Sequence, residues 1–333
     1  MLMLDGNLAS SNGYNDFYQE LGMLRTHVQE SEQLLRHLNQ DQEQLILLSQ
    51  ERSKYPGLPT TANSPERIKL LQIQVTIREE SEKLVKSRGI LIERCREALN
   101  RAGTLQSRIL DGELERWKRG QQLLGNGVPY NGFSLDEIQD FCENIAELVW
   151  QTRVQVKRQQ MLCQTYTQNQ YNIIDSLYQL LELGSQLLIR MVKSTFVIEK
   201  QPPQVMKTNT RFTSTVRLLV GGKLNVHMTP PSVSVFIINE HQAAVLGAGG
   251  DSLVIPHNES AAGEILNATG VMEYHAANRQ LTVHFRNMQL KKIKRTEKKG
   301  TESVMDEKFA LLFFSRFNVC AGELGDICVR VCF

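Results

Sequence analysis

The chain has 333 residues, 38 Lys+Arg against 36 Asp+Glu and a formal net charge of +2, a length that suits about two domains of roughly 100 to 200 residues each. Up to Lys200 there are 23 basic and 25 acidic residues, a net of −2, and beyond it 15 and 11, a net of +4; so mild a lean does not by itself name a partner. The six cysteines form no CxxC pair and no compact framework, which argues against a disulfide scaffold or a zinc module and for a reducing compartment, and no stretch approaches the roughly 20 apolar residues of a membrane span.

Residues 1–13 lack a pattern and are expected to be disordered. From Leu21 the apolar positions Leu24, Val28, Leu35, Leu38 and Leu45 follow at spacings of three and four once Ser31 and Gln42 are admitted as polar members, the seam of a coiled coil. Breakers fill 55–64, and Ser64-Pro65 supplies an N-cap followed by proline at the first helical position. The second helix is expected to run unbroken from there to about Leu124, with Ile73, Ile77, Leu84 and Leu91 on one face, about 90 Å at 1.5 Å per residue. After the Gly125–Gly132 loop, Ser134 and Glu137 make a capping box, flanked by Phe133 and Ile138 at staple positions. The third helix continues through Phe141, Ile145 and Leu148 to about Cys163, and a fourth carries Ile173, Leu177, Leu180, Leu187 and Met191. Four amphipathic helices with short connections predict an antiparallel four-helix coiled-coil bundle over 14–193.

Beyond it, over 194–333, the period falls to two. Phe212, Val216, Leu218 and Val220, then Gly221-Gly222, then Leu224, Val226 and Met228 predict a β-hairpin. Further strands are expected at Val233–Ile238, Leu281–Phe285, Phe309–Phe314 and Ile327–Val331, which together predict an immunoglobulin-like sandwich. Its last strand, ending near Cys332, would leave an edge open to association.

No chemistry of catalysis emerges. Gly247-Ala-Gly-Gly250 is followed by no Lys-Ser/Thr and reads as a loop tip, and neither HExxH nor GxSxG occurs; no enzyme, cofactor or metal is expected. The strongest chemical signal is Lys291 to Lys299, six cations and one anion in nine residues, suited to phosphates or to an acidic nuclear-import carrier. The competing reading is a solvated loop that keeps a sheet edge from pairing.

Ser194-Thr-Phe-Val-Ile-Glu-Lys-Gln-Pro-Pro-Gln204, Lys207-Thr208, Val216-Arg-Leu-Leu-Val-Gly-Gly-Lys-Leu-Asn-Val-His-Met228, His284-Phe-Arg-Asn-Met288, Leu290-Lys-Lys-Ile-Lys-Arg295 and Gly300-Thr-Glu-Ser-Val304 resemble the STAT transcription factors. Trp117-Lys-Arg, Gln121-Gln122 and the Gly125 loop are similar to the same family's bundle. The resemblance extends from about residue 107 to 319; the first 100 residues match in pattern. It implies a bundle that docks coregulators and receptors, a sandwich that grips palindromic double-stranded DNA when dimeric, and a place in cytokine receptor and Janus kinase signalling, in cytoplasm and nucleus. It also implies that Lys207, Thr208, Lys298 and Lys299 contact DNA and that Lys291, Lys292, Lys294 and Arg295 form a basic face for importin-type carriers. After Val319 the sequence departs from the family's pattern, and the chain is expected to be a truncated member lacking the linker, SH2 domain and tyrosine-bearing tail; the alternative expectation is an interaction module or dominant-negative isoform that binds partners and not DNA.

Overall fold

The computed structural model describes residues 5–55, 65–124, 130, 132–166, 171–247, 262–294 and 308–333. Its helices are α1 (Asp5–Ser53), α2 (Pro65–Ser107), α3 (Glu115–Leu124), α4 (Leu135–Tyr166), α5 (Tyr171–Ser194) and α6 (Glu240–Gly247). Its strands are β1 (Phe196–Lys200), β2 (Arg211–Leu218), β3 (Ser232–Asn239), β4 (Gly263–Leu266), β5 (Thr269–Val271), β6 (Glu273–His275), β7 (Gln280–Ile293), β8 (Phe309–Asn318) and β9 (Asp326–Cys332). Two compact units are present, one made of residues up to Arg108 with Leu148–Leu187, the other of Ile109–Glu147 with Leu188–Phe333. This division does not coincide with the change from helix to strand, because the first turns of α4 and the last of α5 pack with the sheets.

In the first unit the seam of α1 is buried as its spacing predicts. Leu21, Leu24, Val28, Leu35 and Leu38 are covered, and so are the polar members Ser31 and Gln42. Each polar member finds a partner: the Ser31 hydroxyl donates to the His27 carbonyl, and the Gln42 Oε1 accepts from the buried Arg88 guanidinium at 2.5 Å. Lys69 to Glu51 and Arg94 to Glu30 pair α2 with α1 in opposite directions, and Arg108, just past α2, pairs with Asp16. Gln155 of α4 donates to the Val28 carbonyl, and Gln106 of α2 to the Leu187 carbonyl of α5. Helix α1 begins at Asp5, within the stretch 1–13 expected to lack structure.

The expected single helix from Pro65 to Leu124 is not one α-helix. A π-helical stretch, Arg108–Leu114, interrupts it; the wider turn carries Ile109, Leu110 and Leu114 to full burial, and the helical period resumes displaced in α3. The Ser64 cap lies outside the described residues. At the start of α4 the capping box forms in full: the Glu137 carboxylate accepts from the Ser134 N–H at 2.7 Å, and the Glu137 N–H donates to the Ser134 hydroxyl at 3.2 Å. Phe133 packs edge-on against Phe141, with ring centres 5.9 Å apart.

The strands make two antiparallel sheets, β1-β2-β7-β4 with β6 alongside β7, and β5-β3-β8-β9. Taking β1, β2, β3, β4, β7, β8 and β9 as strands A to G gives A-B-E-D facing C-F-G, the order of an immunoglobulin sandwich. Val216, Leu218, Leu281, Val283 and Phe285 line one inner face and Val233, Val235, Ile237, Leu311 and Phe313 the other. Phe285 and Phe313 meet across the gap at 5.8 Å.

The predicted hairpin at Gly221-Gly222 does not form. A two-residue hairpin turn needs positive φ, and neither glycine has it. The chain coils instead, with the Leu224 N–H bonded to the Val220 carbonyl and that of Val226 to the Gly221 carbonyl, and Val226–Met228 is a short 3-10 turn. Gly221 is small for another reason: a Cβ there would lie 2.4 Å from Leu281 Cδ2. The partners of β2 are β1 and β7.

Candidate nucleic-acid interface

The far end of β7 is amphipathic. Met288 and Leu290 are buried while Lys291 and Lys292 are exposed, and the strand is irregular here, slipping by one residue against β2 between Phe212 and Ser214 and against β4 between Glu264 and Ile265. Such bulges bend a strand and re-aim its side chains. Lys291 Nζ lies 2.8 Å from Glu264, with both side chains about half exposed, so the pair adds little stability. The Lys294 N–H donates to the Ala262 carbonyl at 2.7 Å, extending the backbone contact just past the strand.

Lys207 and Thr208 occupy a tight turn leading into β2. The Thr210 N–H donates to the Lys207 carbonyl at 3.3 Å, and Asn209, the third residue of the turn, takes the left-handed conformation with φ 64°, which Asn and Gly accept at that position. Both backbone groups of Asn209 are held by β7: its N–H donates to the Leu290 carbonyl at 2.7 Å, and its carbonyl accepts from Gln289 Nε2 at 2.9 Å. Lys207 and Thr208, both exposed, are thereby fixed beside the residues that open the basic run.

Arg295, Lys298 and Lys299 lie outside the described residues. Of the expected site residues, Lys207, Thr208, Lys291, Lys292 and Lys294 fall on the segments that meet here. The sequence reading did not assign Asn209, Gln289 or the exposed Arg211, which pairs with Gln289 in register; a Thr-Asn-Thr stretch before a strand is the turn signal that marks the first of them. Among the described residues of 205–212, 262–266 and 286–294, Glu264 is the one carboxylate. A surface this rich in cations can hold phosphate oxygens.

The strand that carries the turn is anchored from below. Arg217 of β2 is 1% exposed and donates to Asp136 at 2.6 Å, to Gln139 at 2.6 and 2.9 Å, and to Glu199 at 3.3 Å. The hydrogen bond from Arg217 holds the Asp136 carboxyl below the usual carboxylate range. Arg279, before β7, pairs with Asp140 at 2.5 Å and with Glu143 at 3.3 Å. The first turns of α4 are thus fastened to β2 and to the start of β7.

The chain is thus a two-part protein, helices followed by an antiparallel β-sandwich with a cationic strand end. The coiled-coil domain model of the STAT transcription factors matches residues 18–188, the DNA-binding domain model of STAT proteins matches residues 200–329, and the chain belongs to the STAT family. It is 43% identical over 210 residues to the signal transducer and transcription activator of Drosophila melanogaster, a match covering 62% of this chain and 26% of that protein. Among solved structures it is similar to STAT2 in a crystal structure with IRF9, at a TM-score of 0.47 and 15% identity, over 53% of this chain and 96% of that one. Among the described residues no helix is long and apolar enough to cross a membrane, and no group of three or more His, Cys, Asp or Glu is placed to hold a metal.

Proposed function

We propose that this chain binds double-stranded DNA through the turn at Lys207 and Thr208 together with the basic end of β7, as part of a transcription regulator of the cytokine receptor and Janus kinase type. The observation that carries the reading is the fastening of the exposed Lys207–Thr210 turn to Gln289 and Leu290, which joins two cationic segments far apart in sequence into one surface. On this reading Lys207 and Thr208 contact the phosphate backbone, and Lys298 and Lys299 are DNA contacts as well. The same run, at Lys291, Lys292, Lys294 and Arg295, serves importin-type carriers, so the protein works in both cytoplasm and nucleus. The bundle docks coregulators and receptors; Ile68, Leu71 and Val75, exposed at helical spacing on α2, are the kind of apolar row a partner helix reads.

Titration of the 333-residue chain with a palindromic duplex across a salt series tests the DNA reading. Binding should weaken steeply as salt rises, because phosphate contacts release counterions. Lys207→Ala should lower affinity for all sequences and reduce the salt slope by about one. Salt-independent binding, or a slope untouched by Lys207→Ala, overturns it.

A further inference from the structure

We infer that Asn209 and Gln289 are positioning residues for DNA binding, a clasp that holds the Lys207–Thr208 turn on the end of β7 without either side chain having to touch the duplex. The inference rests on the DNA reading above and adds the device that sets its geometry. Lys207 has a long, flexible side chain on a turn outside the sheet ladder. Left to itself, such a turn samples many positions, and each binding event has to order it again at a cost in affinity.

The structure removes that freedom at one residue. Asn209 has both its N–H and its carbonyl bonded to β7, at 2.7 and 2.9 Å, and the Thr210 N–H closes the turn on the Lys207 carbonyl at 3.3 Å. The clasp depends on the backbone of Asn209 standing at φ 64°. Glycine reaches that conformation without strain, whereas a β-branched residue there is a genuine outlier. Gln289 contributes through its side-chain amide, so its truncation leaves the Asn209 carbonyl without that donor. A second left-handed asparagine, Asn267 at φ 56°, donates its side-chain amide to the Asn287 carbonyl at 2.9 Å on the same strand, so both segments flanking β7 are tied to it at neighbouring residues.

The test compares four variants of the whole chain in duplex titrations across a salt series, with affinities compared at its lowest salt concentration, each variant checked for an unchanged far-ultraviolet spectrum and unfolding midpoint. Asn209→Gly should bind within about twofold of the parent, since the backbone conformation is kept. Asn209→Val and Gln289→Ala should each weaken binding by about fivefold to tenfold, with the salt slope unchanged because no phosphate contact is removed. Lys207→Ala is the reference that should weaken binding and lower the slope. If Lys207→Ala weakens binding while Asn209→Val and Gln289→Ala bind as the parent does, the clasp is overturned and the DNA reading stands. If Lys207→Ala has no effect, the DNA reading on which the clasp rests is overturned. Should Asn209→Val unfold, Gln289→Ala against Asn209→Gly decides the matter alone.

Discussion

Glu143 is 2% exposed, and only one of its carboxylate oxygens has a hydrogen-bond partner: Oε2 accepts from Arg279 at 3.3 Å, while Oε1 has none. Burial pushes its carboxyl up from 4.5 to about 7, against the opposing pull of Arg279. A native state that keeps a proton the unfolded chain has already released loses stability as pH rises between those two values. The stability tied to Glu143 is therefore fullest below about 4.5 and is lost as the pH climbs through about 7. Asp136 works in the opposite sense, since Arg217 lowers its pKa and its contribution disappears on acidification. Glu143→Gln should flatten the decline and stabilise the protein by on the order of 1 to 3 kcal/mol at about pH 8, with little gain near about pH 5. Urea unfolding at the two pH values checks this, and an equal or larger loss at the higher pH would contradict the assignment.

Among the elements, β7 is the one whose basic end we propose to serve two partners, DNA and an acidic carrier. Replacing Lys291, Lys292, Lys294 and Arg295 with Ala, in a fusion to a fluorescent protein large enough to prevent passive entry, should lower the nuclear-to-cytoplasmic ratio severalfold by removing the charge that pairs with the carrier. An unchanged ratio with an unchanged unfolding midpoint would favour the solvated-loop reading. What was legible at this scale followed from local rules. The α1 seam, with Ser31 and Gln42 in register, and the Ser134–Glu137 box are patterns a few residues long, and they formed as read. The strands β3, β7, β8 and β9 were visible as apolar-rich runs. The Gly221-Gly222 hairpin was misread because glycine is chosen there for the close approach of Leu281, a contact that short-range pattern does not reveal. The helix α6 was missed although Asn239 and Gln242 cap it reciprocally, at 2.8 and 3.0 Å, in the Asn-x-x-Gln form of the same box. The π-helical turn at Arg108–Leu114 has no comparable signal, since it is set by what Ile109 and Leu114 must reach.

For the molecule as a whole, the basic run stands out by charge, and Lys207 and Thr208 were proposed from the family resemblance alone. Their joining was not, because Gln289 and Asn209 are 80 residues apart and nothing local ties them. The central claim is that this joined surface is where DNA lies. Amide hydrogen exchange of the chain with and without a palindromic duplex tests it most directly, reading peptide by peptide which backbone amides gain protection on binding. The account predicts slowed exchange over 207–211 and 289–294, with α1 and α2 unchanged. Protection confined to the helices, or binding with no change at either segment, would contradict it.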